Sequence, residues 1–280
     1  MPTKLEEPTI DDINLIDEIV KERIGGSNEQ FFKSFKSLWV DRYKEYLNNN
    51  GNPEMINCSH VIQSKNKFIN LYNSKPGIIK TDIIDLLRYQ GLTYCPFCSE
   101  AGVPVTLDHF LPKSDYPEYS LLSKNLVPMC DACQGSDAKG TKVFNDDNKR
   151  LFLHPYFDDI EDVEILILEI LPPYDNDVKY KLYVNESLDN ALKELSIRHI
   201  DELNMQKRFK IYFISQYIRL KKLTISMLKR GVRRDDIKGK IEDFYEERKI
   251  TGINYWDTVF YKSVLTNDSL LNYLKTMDIP

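Results

Sequence analysis

At 280 residues, 42% of them hydrophobic, the chain is long enough for one large domain or two to three small ones, with a sizeable core. No run of about 18 apolar residues exists that could span a membrane, and Met1 to Ile10 lack the basic start and apolar core of a secretory signal. The net charge of −5 argues against a nucleic-acid partner for the chain as a whole, but from Arg198 to Lys240 thirteen Lys and Arg stand against four acidic residues, so this segment carries +9 and the remainder −14.

The expected class is α+β and mostly helical. In residues 1–91, Ile13, Ile16, Ile19 and Val20 recur at helical spacing. Ser27 is placed to cap a second helix through Phe31, Phe32, Phe35, Leu38, Trp39 and Tyr43, which the run Asn48-Asn49-Asn50-Gly51 should stop. A third helical segment is expected from about Cys58 to Tyr72, and a fourth from Thr81 to Tyr89, ending at Gly91. Residues 92–157 change character: cysteines, prolines, glycines and short apolar runs replace the helical period. Residues 158–280 open on acidic residues. Val163 to Ile170 and Val178 to Val184 then read as a β-hairpin across Pro172-Pro173 and Asp175-Asn176-Asp177. A long helix is expected from Ile200 to Lys229, stopped by Gly231, with two or three shorter helices after it.

The five cysteines carry the sharpest signal. The expected compartment is the cytoplasm, where thiols stay reduced, so paired C-x-x-C reads as metal before disulfide. Cys95-Pro-Phe-Cys98 and Cys130-Asp-Ala-Cys133 each place two thiolates on one ion with little strain, and zinc prefers four such donors. A redox dithiol would not need the second pair. The lone Cys58 reads as a small buried apolar residue, and His60 as a surface or capping histidine.

Thirty-one residues separate the two knuckles, and what they hold suggests chemistry. Val103 to Leu107 can form a strand that ends at Asp108-His109. A histidine that titrates near neutrality can take a proton from water, and an adjacent carboxylate can hold a hard divalent cation.

Together these elements resemble the HNH nuclease family: Cys95/Cys98, then Asp108-His109, then Asn125-Leu126-Val127-Pro128, then Cys130/Cys133, then Lys139-Gly140. The stretches LLRYQGLTYCPFC, LDHFLPKSDYPEYSLLSKNLVPMC and HPYFD are similar to HNH proteins of bacterial anti-phage defence, including those paired with an ATPase in Septu-type systems. The resemblance covers roughly residues 86–158. It implies a zinc-stapled ββα-metal core between two helical regions and a metal-dependent endonuclease acting on DNA more readily than RNA. It also implies a protein partner such as a defence ATPase. His109 would be the general base, Asp108 a ligand of catalytic Mg²⁺ or Mn²⁺, and Asn125 the residue that orients base and hairpin. The residue after the second knuckle would be another ligand. The family has Asn or His there, whereas this chain has Gln134, one methylene longer than Asn, and two extra residues before Lys139-Gly140. Asp137 or His154 could therefore complete the metal shell. His154 also reads as a structural, hydrogen-bonded histidine.

Three further readings stay open. Lys113 and Lys139 lie close enough in sequence to touch the scissile strand. The Lys/Arg-rich helix after Ile200 is either a phosphate-tracking surface or the solvated face of a core helix. The module could also be catalytically degenerate and bind nucleic acid or a protein instead.

Overall fold

The computed structural model describes residues 3–74, 84, 85, 87 and 91–278. The chain is α+β, with helices flanking two small antiparallel sheets. It divides into two compact units: Lys4–Phe97 with Gly102–Asp158, and Met1–Thr3 with Cys98–Ala101 and Asp159–Pro280. Among the described residues, no helix is long and apolar enough to cross a membrane.

In the first unit, α1 (Asp12–Glu22) and α2 (Glu29–Asn48) follow the expected periodicity. Asn28 precedes α2 rather than Ser27, and makes no side-chain capping bond. Phe32, Phe35, Trp39, Tyr43 and Tyr46 recur three or four residues apart and are all buried. The Phe32, Phe35 and Trp39 rings meet Phe68 of α3 (Lys65–Ser74), which lies 5.2 Å from Trp39 and 5.5 Å from both Phe32 and Phe35. The third helical segment thus starts later than the pattern suggests. Cys58 lies in the irregular stretch before it and is exposed, which corrects the buried reading. His60 is exposed as expected. The expected helix Thr81–Tyr89 falls almost wholly outside the described residues.

The Asn48–Gly51 stop forms as predicted, with Asn50 and Gly51 at positive φ. Gly51 is fixed by packing as well as by its backbone. A Cβ there would lie 2.8 Å from the Tyr46 hydroxyl and 3.1 Å from the His154 ring.

Asp12, the first residue of α1, is buried and accepts bonds from the Ser123 amide (2.8 Å) and hydroxyl (2.7 Å). Burial raises its carboxyl to about 6, and the Ser123 bonds pull it only part of the way back. A raised carboxyl favours the folded state when protonated, so its contribution is present below pH 3.8 and lost as pH rises through 6. Asp12→Asn, which keeps an acceptor for the Ser123 amide, is expected to raise stability at pH 7.5 by up to about 3 kcal/mol. It should change little at pH 4. Urea unfolding at the two pH values checks this.

In the second unit, β3 (Leu166–Leu171) pairs with β4 (Lys179–Val184) as the expected hairpin, in the register Leu168↔Leu182. The expected long helix is two: α5 (Asn190–Glu202) and α6 (Met205–Lys229), which α7 (Ile237–Lys249), α8 (Trp256–Leu265) and α9 (Asp268–Thr276) follow. Asn204 breaks the helix by adopting a left-handed conformation at φ 51°, which asparagine tolerates better than most residues.

Candidate functional site

The site is built on a short hairpin. Strand β1 (Thr106–His109) pairs antiparallel with β2 (Leu126–Met129), with Asp108 opposite Val127 and His109 opposite Leu126. The strand begins later than the predicted Val103, and Val103 and Val105 are exposed. A single helical turn, α4 (Asp131–Gln134), follows β2 directly and closes at Gly135.

Cys95, Cys98, Cys130 and Cys133 bring their sulfurs within 4.8 Å of one another, a group that could hold a metal ion. Tetrahedral thiolates at a zinc bond length of about 2.3 Å lie roughly 3.8 Å apart, so the cluster is near the size of a tetrahedral site. The Cys130 amide donates to Cys95 Sγ at 3.4 Å, which favours the thiolate. Ser99 adopts φ 61°, turning the chain out of the first knuckle. Cys98 Sγ also accepts from the Arg208 guanidinium at 3.0 Å, and Arg208 forms an ion pair with Glu100. Arg208 belongs to the Lys/Arg-rich helix α6, and these contacts take it out of that helix's solvated basic face. Lys207, Lys210, Arg219 and Lys222 remain exposed on it, interleaved with exposed Ile211, Ile214 and Ile218.

His109 is 6% exposed. Its Nε2 lies 3.0 Å from the Ser120 carbonyl oxygen, which can only accept. The ring proton therefore sits on Nε2, and Nδ1 keeps the basic lone pair. Burial pushes the imidazole down to about 4, and Lys113 reinforces this, against a smaller upward pull from Asp108. The ring is neutral at physiological pH. Tyr72 of α3 packs edge-on against it, 4.7 Å between centroids, and the half-buried Lys113 ammonium lies 4.6 Å from the same tyrosine ring. Burial also lowers Lys113 from its ordinary value. Tyr72 belongs to no motif; the helical period shows only that it faces a core.

Asp108 is bracketed by donors. Its Oδ1 accepts from Gln134 Nε2 at 3.2 Å, and its Oδ2 lies 2.8 Å from the Lys139 ammonium. Lys139 is completely buried, with Nζ also 2.8 Å from the His109 carbonyl oxygen, so it does not reach a surface phosphate. That corrects its expected role: the loop Gly135–Gly140 folds inward and turns a surface-type lysine into the partner of Asp108. Asp137 stays exposed on the same loop.

Asn125 acts inside the fold. Its Oδ1 accepts from the Leu111 amide (2.7 Å) and the Tyr46 hydroxyl (3.1 Å), while Nδ2 donates to the Leu111 and Tyr119 carbonyls, both at 3.1 Å. It thereby pins the loop that leaves His109. His154 is structural. Its Nδ1 accepts from the Tyr156 amide at 3.2 Å, so the ring proton lies on Nε2 and donates to the Tyr46 hydroxyl at 3.1 Å. Both nitrogens are used, the residue is wholly buried, and burial lowers its pKa well below the ordinary histidine value. It therefore does not complete a metal shell. Tyr156 and Asp158 tie the same segment down, Tyr156 Oη to the Leu126 carbonyl (3.0 Å) and Asp158 to the His154 amide (2.6 Å).

Chemically, the arrangement offers a neutral imidazole of fixed tautomer, an adjacent carboxylate, a carboxamide beside it and a half-buried ammonium. No family model and no solved structure matches the chain. It is 41% identical over 85 residues to Protein ea31 of Escherichia phage lambda, a match covering 30% of this chain and 27% of the phage protein. The chain thus spans about a quarter of that relative's length.

Proposed function

We propose that this chain is a metal-dependent endonuclease of the HNH type, with a ββα-metal core formed by β1, β2 and α4. The observation that carries the reading is the pairing of a neutral His109, its tautomer set by the Ser120 carbonyl, with Asp108 at the end of one strand. Zinc is the proposed ion at the four cysteines, since four clustered thiolates match its donor preference.

A catalytic divalent ion would be held by Asp108 and Gln134. Their facing side-chain atoms are 3.2 Å apart, and two oxygens in adjacent positions around octahedral Mg²⁺ lie about 3 Å apart. Gln134 presents its nitrogen to the carboxylate, and rotation of the amide by half a turn would present its oxygen instead. When bound, the ion supplies positive charge to the scissile phosphate and the leaving oxygen. His109 Nδ1 takes the proton from the attacking water, and Nε2 keeps its bond to Ser120 throughout. Lys113 adds a second positive charge, while Asn125 holds the following loop in register.

DNA is the proposed substrate and an anti-phage system with a protein partner the proposed setting, both from the family resemblance. The basic face of α6 is a surface for either partner. Incubation of the zinc-loaded chain with supercoiled plasmid tests the reading. Conversion to nicked or linear DNA should require Mg²⁺ or Mn²⁺ and be lost in Asp108→Asn; intact plasmid under both metals would overturn it. One observation favours a second reading, a degenerate zinc-binding module that binds without cutting. Asp108 is already neutralised by Lys139. Tight DNA binding without cleavage under either metal would select it.

A further inference from the structure

Lys139 is wholly buried, next to a buried Ala138, at the end of a loop that runs through solvent. Ser136 and Asp137 are exposed, and the backbone returns inward through bonds from Ala138 N to the Gly135 carbonyl (2.9 Å) and from Lys139 N to the Cys133 carbonyl (3.0 Å). At the end of this detour the ammonium meets three oxygens: Asp108 Oδ2 at 2.8 Å, the His109 carbonyl at 2.8 Å and the Gly140 carbonyl at 3.4 Å. The two carbonyls take its hydrogen bonds, and the contact with Asp108 is an ion pair outside hydrogen-bond geometry, which leaves the buried Oδ2 without a hydrogen-bond donor. Burying a lysine is unfavourable unless it is paired, and the pairing group here is the carboxylate to which the proposed function gives a divalent ion.

We propose that Lys139 is a built-in cation that competes with the divalent ion for Asp108. Carboxylate and ammonium form a closed pair inside the fold, and an arriving ion meets a carboxylate that is already neutralised. Two like charges drawn to one carboxylate oppose each other, so Lys139 weakens metal binding and keeps the site closed until an additional anion such as a phosphodiester favours the ion. The inference rests on the reading of Asp108 as a metal ligand.

Mn²⁺ titration of the zinc-loaded full chain, with free Mn²⁺ followed by electron paramagnetic resonance, tests it. Lys139→Met preserves the length and apolar stem of the side chain and removes the charge. The variant should bind Mn²⁺ roughly tenfold or more tighter than wild type, the order by which a nearby like charge shifts a site's affinity for a cation. Its melting temperature, lowered because the partly buried Asp108 loses its ion-pair partner and keeps only the Gln134 bond, should recover as Mn²⁺ is added. Asp108→Asn should remove Mn²⁺ binding in both backgrounds. Equal or weaker binding by Lys139→Met, with wild type still binding Mn²⁺ through Asp108 and cutting plasmid, overturns this inference alone. Binding by neither protein overturns it together with the proposed function. Should Lys139→Met not fold, ¹⁵N-lysine spectra of the wild type decide the matter. The protected Lys139 ammonium signal should shift or vanish as Mg²⁺ saturates the site, and a signal unchanged at saturation overturns the competition.

Discussion

Cys133→Ser is expected to purify without its full complement of metal and to lose the cooperative thermal transition of the unit that carries the hairpin. β1 and β2 contribute four residues each, and an isolated two-stranded hairpin is marginal in water. α4 is a single turn, too short to repay its own nucleation. These elements need an external tie, and a metal ion held by the four clustered sulfurs would be one at the junction of β2 and α4: Cys130 sits at the entry of the turn and Cys133 inside it. Structural zinc contributes on the order of 10 kcal/mol to the folding of small domains, comparable with the whole stability of an ordinary protein. Loss of one thiolate ligand should therefore remove several kcal/mol. Metal analysis by mass spectrometry together with circular-dichroism melting checks the expectation. Cys58→Ser, exposed and outside the cluster, is the matched control and should keep both metal and melting temperature. A Cys133→Ser protein with full metal content and an unchanged melt would remove the knot from the account of this fold.

The difference between these two cysteines was only half legible in the sequence. Spacing alone distinguishes the paired residues, because C-x-x-C turns are local and the donor chemistry needs nothing from the rest of the chain. The exposure of Cys58 is a tertiary fact, decided where the chain leaves α2 and before α3 begins. The same division holds throughout. The aromatic stripe of α2 and its stop at Gly51 are written in periodicity and turn residues. The break at Asn204 is not, since the apolar period runs on through Leu203 and Met205, both of which are buried. In the site, the strand order and the position of Asp108-His109 could be read from the motif. The groups that set their chemistry could not. Tyr72 and Tyr46 reach the site from helices far upstream, and a lysine in a Gly-Ser-Asp-Ala-Lys-Gly loop gives no local sign that it will be buried. His154 shows the limit most clearly. A histidine beside aromatic residues is equally compatible with catalysis and with structure, and the Tyr46 hydroxyl and Tyr156 amide decide for structure by occupying both nitrogens.

His109→Ala should reduce plasmid cleavage by about 10²- to 10⁴-fold, the usual contribution of a general base. The pH profile separates this role from a merely structural one. Because burial and Lys113 hold the imidazole down to about 4, Nδ1 is available as a base through the whole neutral range. The acid limb of the wild-type rate should therefore fall near pH 4 to 5 rather than at the ordinary histidine value of 6.5. Lys113→Met removes the second largest of the downward influences, which are burial, Lys113 and Lys139, so its acid limb should move toward neutrality. Stability must follow the same linkage. A histidine lowered in the folded state binds its proton in the unfolded chain first, so its contribution is complete above pH 6.5 and is lost as pH falls toward 4. A shift of this size corresponds to about 3 kcal/mol. Asp12 acts in the opposite direction over an overlapping window, its contribution disappearing as pH rises from 3.8 through 6. Wild-type stability should consequently be flatter in acid than either group alone would make it. His109→Asn should expose the Asp12 slope, with stability falling as pH rises from 4 to 6, whereas Asp12→Asn should expose the His109 slope, with stability falling as pH drops. If the single variants gave parallel profiles, neither group would be buried as the fold requires, and the assignment of His109 as a neutral base would fall with it.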